Sequence, residues 1–217
     1  MTKHPQTTWQ PLSNETKSLT FLLALTFLFL FCGSSVVFAD DFQDAMDAVN
    51  RGDFKTAYNL WLPLAEQGNA KAQYHLGVMY RGGQGIPRDE KKATKWLLKA
   101  AEQRSVQAQR FLGTIFYYGR GVAQDYAEAA KWYKKAAEQG DSDAQNILGA
   151  MYERGKGIPK DFVEAYKWFS ISGEGDDEYG RKYREMIGKR MTPDQITEAQ
   201  RLAKWWIVYE SGWRRVT

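Results

Sequence analysis

The chain has 217 residues, enough for one domain or one repeat array. With 43% hydrophobic and 26% charged residues, its composition is globular rather than disordered. A net charge of +4 is small for this length and does not argue for nucleic acid, which calls for a clustered basic face.

Met1 to Ser18 is polar, with Lys3, Lys17 and a single acid, Glu15. Leu19 to Phe31 (LTFLLALTFLFLF) is apolar apart from two threonines. Val37-Phe38-Ala39 then offers a signal peptidase its recognition residues, so 1–39 is expected to be a secretory signal cut after Ala39. The expected location is the periplasm or the medium. Leu19 to Ala39 also runs 21 residues without a charge, long enough to span a bilayer. An uncleaved signal would therefore anchor the protein in the inner membrane, the one case in which a membrane is a partner. A third alternative, lipidation of Cys32, meets the bulky Phe31 where a small residue is wanted. Cys32 is the only cysteine, so the cleaved chain has neither a thiol nucleophile nor a disulfide. Losing Lys3, Lys17 and Glu15 brings the charge to +3.

Past the signal, Asp41 to Asn50 and Asp53 to Gln67 read as a helix pair joined at Arg51-Gly52. Pro63 should kink the second helix. From there the chain repeats itself every 36 residues. The stretch YRGGQGIPRD at Tyr80 returns as YYGRGVAQD at Tyr117 and ERGKGIPKD at Glu153. Ala-Gln pairs at 72–73, 108–109 and 144–145 lie in register, as do Leu-Gly pairs at 76–77, 112–113 and 148–149. So do Lys-Trp pairs at 95–96, 131–132 and 167–168. Apolar spacing before and after each loop is helical, as in Ala72, His75, Leu76, Met79 and Tyr80, then Ala93, Trp96, Leu97 and Ala100. Each copy is thus helix, glycine loop, helix. A phosphate-binding loop would follow a strand, and none precedes these. The loop glycines suit the left-handed end of the first helix. Asp89, Asp125 and Asp161 suit the cap of the second, with Glu128 and Glu164 placed for a reciprocal capping box. Gly77, Gly113 and Gly149 each cost about 1 kcal/mol inside a helix, which implies a close crossing there.

Together these residues resemble the Sel-one-like repeats, relatives of the tetratricopeptide repeat, over about residues 41 to 175. The resemblance implies an all-α fold: an α-solenoid of antiparallel helix pairs wound into a right-handed superhelix. It also implies an adaptor surface for other proteins, often in bacterial envelopes. Stacking gives the same shape on physical grounds, since one helix pair cannot bury its apolar face alone. The cysteine pairs of the cysteine-rich relatives linked to β-lactams are absent, so that link does not carry over. The expected units are a partial repeat at 40–67, repeats at 68–103, 104–139 and 140–175, and capping helices over 176–217. In the third repeat Ser172-Gly173-Glu174 replaces Ala-Ala-Glu. Asp176 to Ile187 reads as a helix, and Thr192-Pro-Asp-Gln195 as the start of another with a stripe of Ile196, Ala199, Ala203, Trp206 and Ile207. That helix should close the stack, leaving Trp205 and Trp213 partly surplus.

No catalytic or metal-binding constellation emerges. With His4 removed, His75 is the sole histidine, at a register shared with Phe111 and Ile147, and reads as a packed residue. The expectation is no enzyme, no cofactor and no metal. Trp132 and Tyr133 read as core, and Lys131, Lys134 and Lys135 as a solvated face. What varies between copies is a second stripe on the first helices, opposite the packed one. It comprises Lys71, Tyr74, Val78 and Arg81, then Gln107, Arg110, Thr114 and Tyr117, then Asp143, Asn146, Ala150 and Glu153. Packing should leave it free, and its charge runs from basic and aromatic to acidic. By resemblance to tetratricopeptide superhelices, the first helices line the concave side. These residues are the candidate site for a protein partner. The alternative function is binding of an envelope polymer, peptidoglycan or exopolysaccharide, through exposed aromatics.

Overall fold

Every 36-residue period folds into the same two helices, for reasons that are local to it. The computed structural model describes residues 41–174 and 177–210. The expected signal at 1–39, Cys32 and Trp213 lie outside the described residues. Three full pairs follow one another: α3 (Ala70–Gly82) with α4 (Glu90–Glu102), α5 (Val106–Tyr118) with α6 (Tyr126–Glu138), and α7 (Ser142–Arg154) with α8 (Phe162–Ser172). Before them stand α1 (41–50) and α2 (Phe54–Glu66). After them come α9 (Glu178–Gly188), α10 (Pro193–Trp205) and a π-helical turn at Trp206–Glu210. The described residues contain no strand. Each helix from α2 to α8 packs on the next, giving an α-solenoid. Helix α2 runs unbroken through Pro63, whose ring is exposed near its end.

The first helix of each pair starts where Asn69, Ser105 or Asp141 accepts the amide proton of Ala72, Ala108 or Ala144. Such a cap contributes about 1 kcal/mol. It ends at Gly83, Gly119 or Gly155, with φ of 66°, 65° and 66°, a conformation that costs glycine nothing. Asp89, Asp125 and Asp161 then cap the second helices through the amides of Lys92, Glu128 and Glu164. The reciprocal half of the expected capping boxes does not form. The backbone N–H groups of Asp125 and Asp161 donate across the loop to the carbonyls of Phe116 and Tyr152. Glu128 and Glu164 turn instead to Lys131 and Lys167.

The mid-helix glycines mark close crossings, as expected. A β-carbon on Gly77 would lie 2.6 Å from Leu97 Cγ, and one on Gly113 would lie 2.7 Å from the Tyr133 ring. On Gly149 it would lie 3.1 Å from the Phe169 ring. The neighbour is thus a second-helix side chain at one register, where the fully buried Leu97, Tyr133 and Phe169 succeed one another. Burying side chains of this size contributes about 1.5–3 kcal/mol each. The second loop glycine has a separate task. A β-carbon on Gly121 would lie 2.4 Å from Glu90 Cβ, and one on Gly157 would lie 2.2 Å from the backbone of Tyr126. Each loop therefore presses on the start of the second helix one repeat earlier.

The Ala-Gln glutamines are buried for a polar reason. Gln73, Gln109 and Gln145 donate to the carbonyls of Ala65, Ala101 and Ala137, at the end of the preceding second helix. Gln103 and Gln139 donate in turn to the side-chain oxygens of Gln73 and Gln109. Each chain of bonds therefore ties three successive helices.

The stack ends differently. Gly173 stands at the register of Ala101 and Ala137, and a β-carbon on it would lie 3.1 Å from the amide nitrogen of Arg181 on α9. The departure from Ala-Ala-Glu thus admits α9 close against α8. The capping box at Thr192 and Gln195 forms as expected, and α10 lies on α8 with Ala199 and Ala203 buried.

Candidate partner-binding face

The twelve stripe residues lie on α3, α5 and α7, whose capped starts and glycine ends fix them at one register. Packing restricts them more than their variability suggests. Only Lys71, Gln107 and Asp143 are exposed, while Asn146 is buried at 8% exposure. Tyr74 leans edge-on against Phe111 at 5.7 Å, and burial raises its pKa. Arg81 lies over the Phe111 ring at 5.0 Å. Thr114 shares a hydrogen bond of 3.0 Å with the hydroxyl of Tyr133, whose pKa burial pushes up to about 12. Tyr117 meets the rings of Tyr118, Tyr126 and Tyr133, and Lys156 donates to its hydroxyl at 3.1 Å. The expectation that packing leaves this stripe free is therefore corrected: Tyr74 and Arg81 pack on Phe111 of the next first helix, and Thr114 and Tyr117 on Tyr126 and Tyr133 of the paired second helix.

The expected charge gradient is corrected as well. Arg110 Nε donates to Asp141 at 3.0 Å, and its Nη1 pairs with Asp143 at 3.0 Å. Glu153 pairs with Arg190 at 2.8 Å. The acids at the far end are thus neutralised by the protein itself. Asn146 donates to Asp177, which also accepts from Ser172. Burial pushes the Asp177 carboxyl up. These bonds and those from the Tyr179 and Gly180 amides outweigh burial, so its pKa is lowered.

Two cavities line up along the face. One, of about 420 Å³, brings Val78 and Arg81 together with Arg88, Glu90, Phe111 and Arg120. The other, of about 570 Å³, gathers Arg110, Thr114, Tyr117, Asp143, Asn146 and Ala150. Lys71, Tyr74, Gln107 and Glu153 line neither. Arg120, Tyr118, Asp177, Arg154 and Tyr179 belong to these walls and lie outside the candidate stripe. Tyr118 offered a signal, since it stands where the other copies hold Gly82 and Arg154.

His75 stacks on Trp61 at 4.4 Å with Phe42 beside it, as a packed residue would, and burial lowers its pKa. Among the described residues no group of three His, Cys, Asp or Glu side chains could hold a metal ion, and no helix is long and apolar enough to cross a membrane. Trp132 and Trp168 are buried, whereas Trp96 is half-buried. Lys99 and Lys135 lie over Trp96 and Trp132 at 4.5 and 4.0 Å, so the lysine face is partly a cover for these rings.

The family signature described as Sel1 repeat matches residues 70–105, 106–141 and 142–177. The chain is similar to a solved Sel1 repeat protein from Oxalobacter formigenes, with 30% identity, a TM-score of 0.65, and coverage of 78% of this chain and 71% of that one. It is also similar to c5321, a protective antigen of uropathogenic Escherichia coli displaying an SLR fold, with 27% identity and a TM-score of 0.51. That match covers 82% of this chain, which spans about half of its relative, at 48%. No curated protein matches the chain.

Proposed function

The chain belongs to the Sel1 repeat family, and from that premise we propose that it is a non-enzymatic scaffold binding a protein partner along α3, α5 and α7. Proteins of this family are in general interaction scaffolds. The supporting observation is the row of two cavities across successive first helices, at Val78 and Arg81 and then from Arg110 to Ala150. Stacked repeats offer such extended surfaces on their inner, concave side. The place of action is the bacterial envelope, after export and cleavage behind Ala39; the charge-free run from Leu19 to Ala39 supports export.

Site-specific photo-crosslinking tests the face. A crosslinker at Gln107, exposed on α5, should capture a partner that the same crosslinker at Lys134, exposed on α6, does not. Adducts from Lys134 alone, or none from Gln107, refute the reading. N-terminal sequencing tests export: the recovered protein should begin at Asp40, and an intact Met1 on membrane-bound protein refutes cleavage.

A further inference from the structure

Every acid along the two cavities has a partner on the protein itself. Asp143 is held by Arg110, Asp177 by Asn146 and Ser172, and Glu90 by Arg88. The cations are not all matched. Arg81 and Arg120 make no ion pair among the described residues, yet both border the smaller cavity. Three arginines and one glutamate leave that cavity a net charge of about +2. Both free guanidinium groups are positioned by aromatic faces: Arg81 over Phe111 and Arg120 over Tyr118, each at 5.0 Å. A stacked guanidinium keeps its N–H edge open, the geometry that grips a carboxylate at two points. Burial, with Arg120 and Arg88 adding repulsion, lowers the pKa of Arg81, so an arriving anion would relieve that cost. On the same wall Glu90 Oε2 is buried without a hydrogen bond. A peptide carries N–H donors beside its carboxylates, whereas a phosphodiester chain carries none on its backbone.

From these contacts we infer that the cavity between Arg81 and Arg120 is a carboxylate-binding subsite, taking an acidic side chain of an extended peptide laid along the first-helix face. The inference rests on the scaffold reading in taking that peptide to be part of a protein partner.

The probe is a fluorescein-labelled octapeptide alternating glutamate with tyrosine, followed by fluorescence anisotropy, with the glutamine-for-glutamate peptide as comparison. The wild-type chain should bind the glutamate peptide and lose it on glutamine replacement. Arg81→Met and Arg120→Met should each weaken binding about tenfold, the worth of one charge-assisted contact. Lys134→Met should bind as wild type, and thermal melts should show all three variants folded. No binding of the glutamate peptide, equal binding of both peptides, or wild-type affinity in the two arginine variants overturns the subsite. Equal affinity for single-stranded DNA of matched charge overturns it in favour of a general polyanion surface. A partner crosslinked through Gln107 but indifferent to both arginine variants refutes the subsite and leaves the scaffold standing. Loss of crosslinking at Gln107 in the wild type, with peptide binding intact, does the reverse.

Discussion

The side chain of Gln109 donates to the main-chain carbonyl of Ala101 at 3.0 Å, across the junction between two repeats. Gln109 is 3% exposed, so the bond is made out of water. It adds a bond from the next repeat to a carbonyl at the end of α4 that also accepts from the Arg104 amide. Its own oxygen is used by Gln139 at 2.7 Å.

Replacing Gln109 with leucine should therefore remove two hydrogen bonds from the repeat junction, the one to the Ala101 carbonyl and the one from Gln139. The expected loss is about 1–3 kcal/mol. Gln107→Leu, on the exposed side of the same helix, should stay within about 0.5 kcal/mol of wild type. Urea melts of the two variants decide this, and equal midpoints would remove the glutamine from the account of repeat cohesion.

Glycine substitutions should rank by what a β-carbon meets. Gly113→Val drives a branched side chain into the Tyr133 ring, with an expected loss of about 1–3 kcal/mol or more. Gly119→Ala should cost about 1 kcal/mol of left-handed backbone strain. Gly121→Ala combines the same backbone strain with a clash on Glu90 and should cost more than Gly119→Ala. Thermal melts that place Gly119→Ala level with Gly113→Val would refute the crossing argument.

Stability should fall on mild acidification because of His75. Burial holds its pKa below the ordinary 6.5, so below that pH the unfolded chain takes up a proton that the folded one resists. The contribution is flat above 6.5 and lost progressively as pH drops toward the folded value. His75→Phe, which copies Phe111 at the same register, should remove this dependence. The depressed carboxyl of Asp177 acts in a separate and lower window, below its usual 3.8. Urea midpoints at pH 7.5 and 5 in the two proteins are the measurement; parallel losses would assign the effect elsewhere.

Asp177→Ala should loosen the end of the stack more than the middle. Asp177 caps α9 and receives Asn146 from α7 and Ser172 from α8, so one carboxylate joins three helices. A loss of about 1–3 kcal/mol is expected. Hydrogen exchange should quicken in α9 while α3 to α6 keep their protection.

What recurs at a fixed interval could be read before the fold was known: the helix pairs, the loop glycines, the aspartate caps and the tight crossings at Gly77, Gly113 and Gly149. The Thr192 start of α10 was equally plain, because a capping box is a local pattern. What joins one repeat to another was not. Arg110 meets Asp141, 31 positions on, and Glu153 meets Arg190, 37 positions on. Recurrence says where a residue returns, not which foreign side chain it faces. Hence the stripe looked like a charge gradient when its acids were already paired. The turn of Glu128 toward Lys131 was hidden for a related reason: the backbone proton it would have taken is claimed across the loop by Phe116.

The uniform glutamine joint bears on how such a chain changes length over generations. Removing residues 106–141 would set Ser142 after Ser105, bringing Gln145 to the Ala101 carbonyl that Gln109 now serves. Gly157 would come to Glu90, which Gly121 now meets. Both of these contacts would find a counterpart of their own kind, while Ile147 would replace Phe111 beside Tyr74 and Arg81. At the far end the option closes, because position 175 holds glycine where Gln103 and Gln139 stand. Gain or loss of whole units is thus open to the interior of this gene and barred at its last copy, which makes the middle of the array the place where lineages should differ in repeat number.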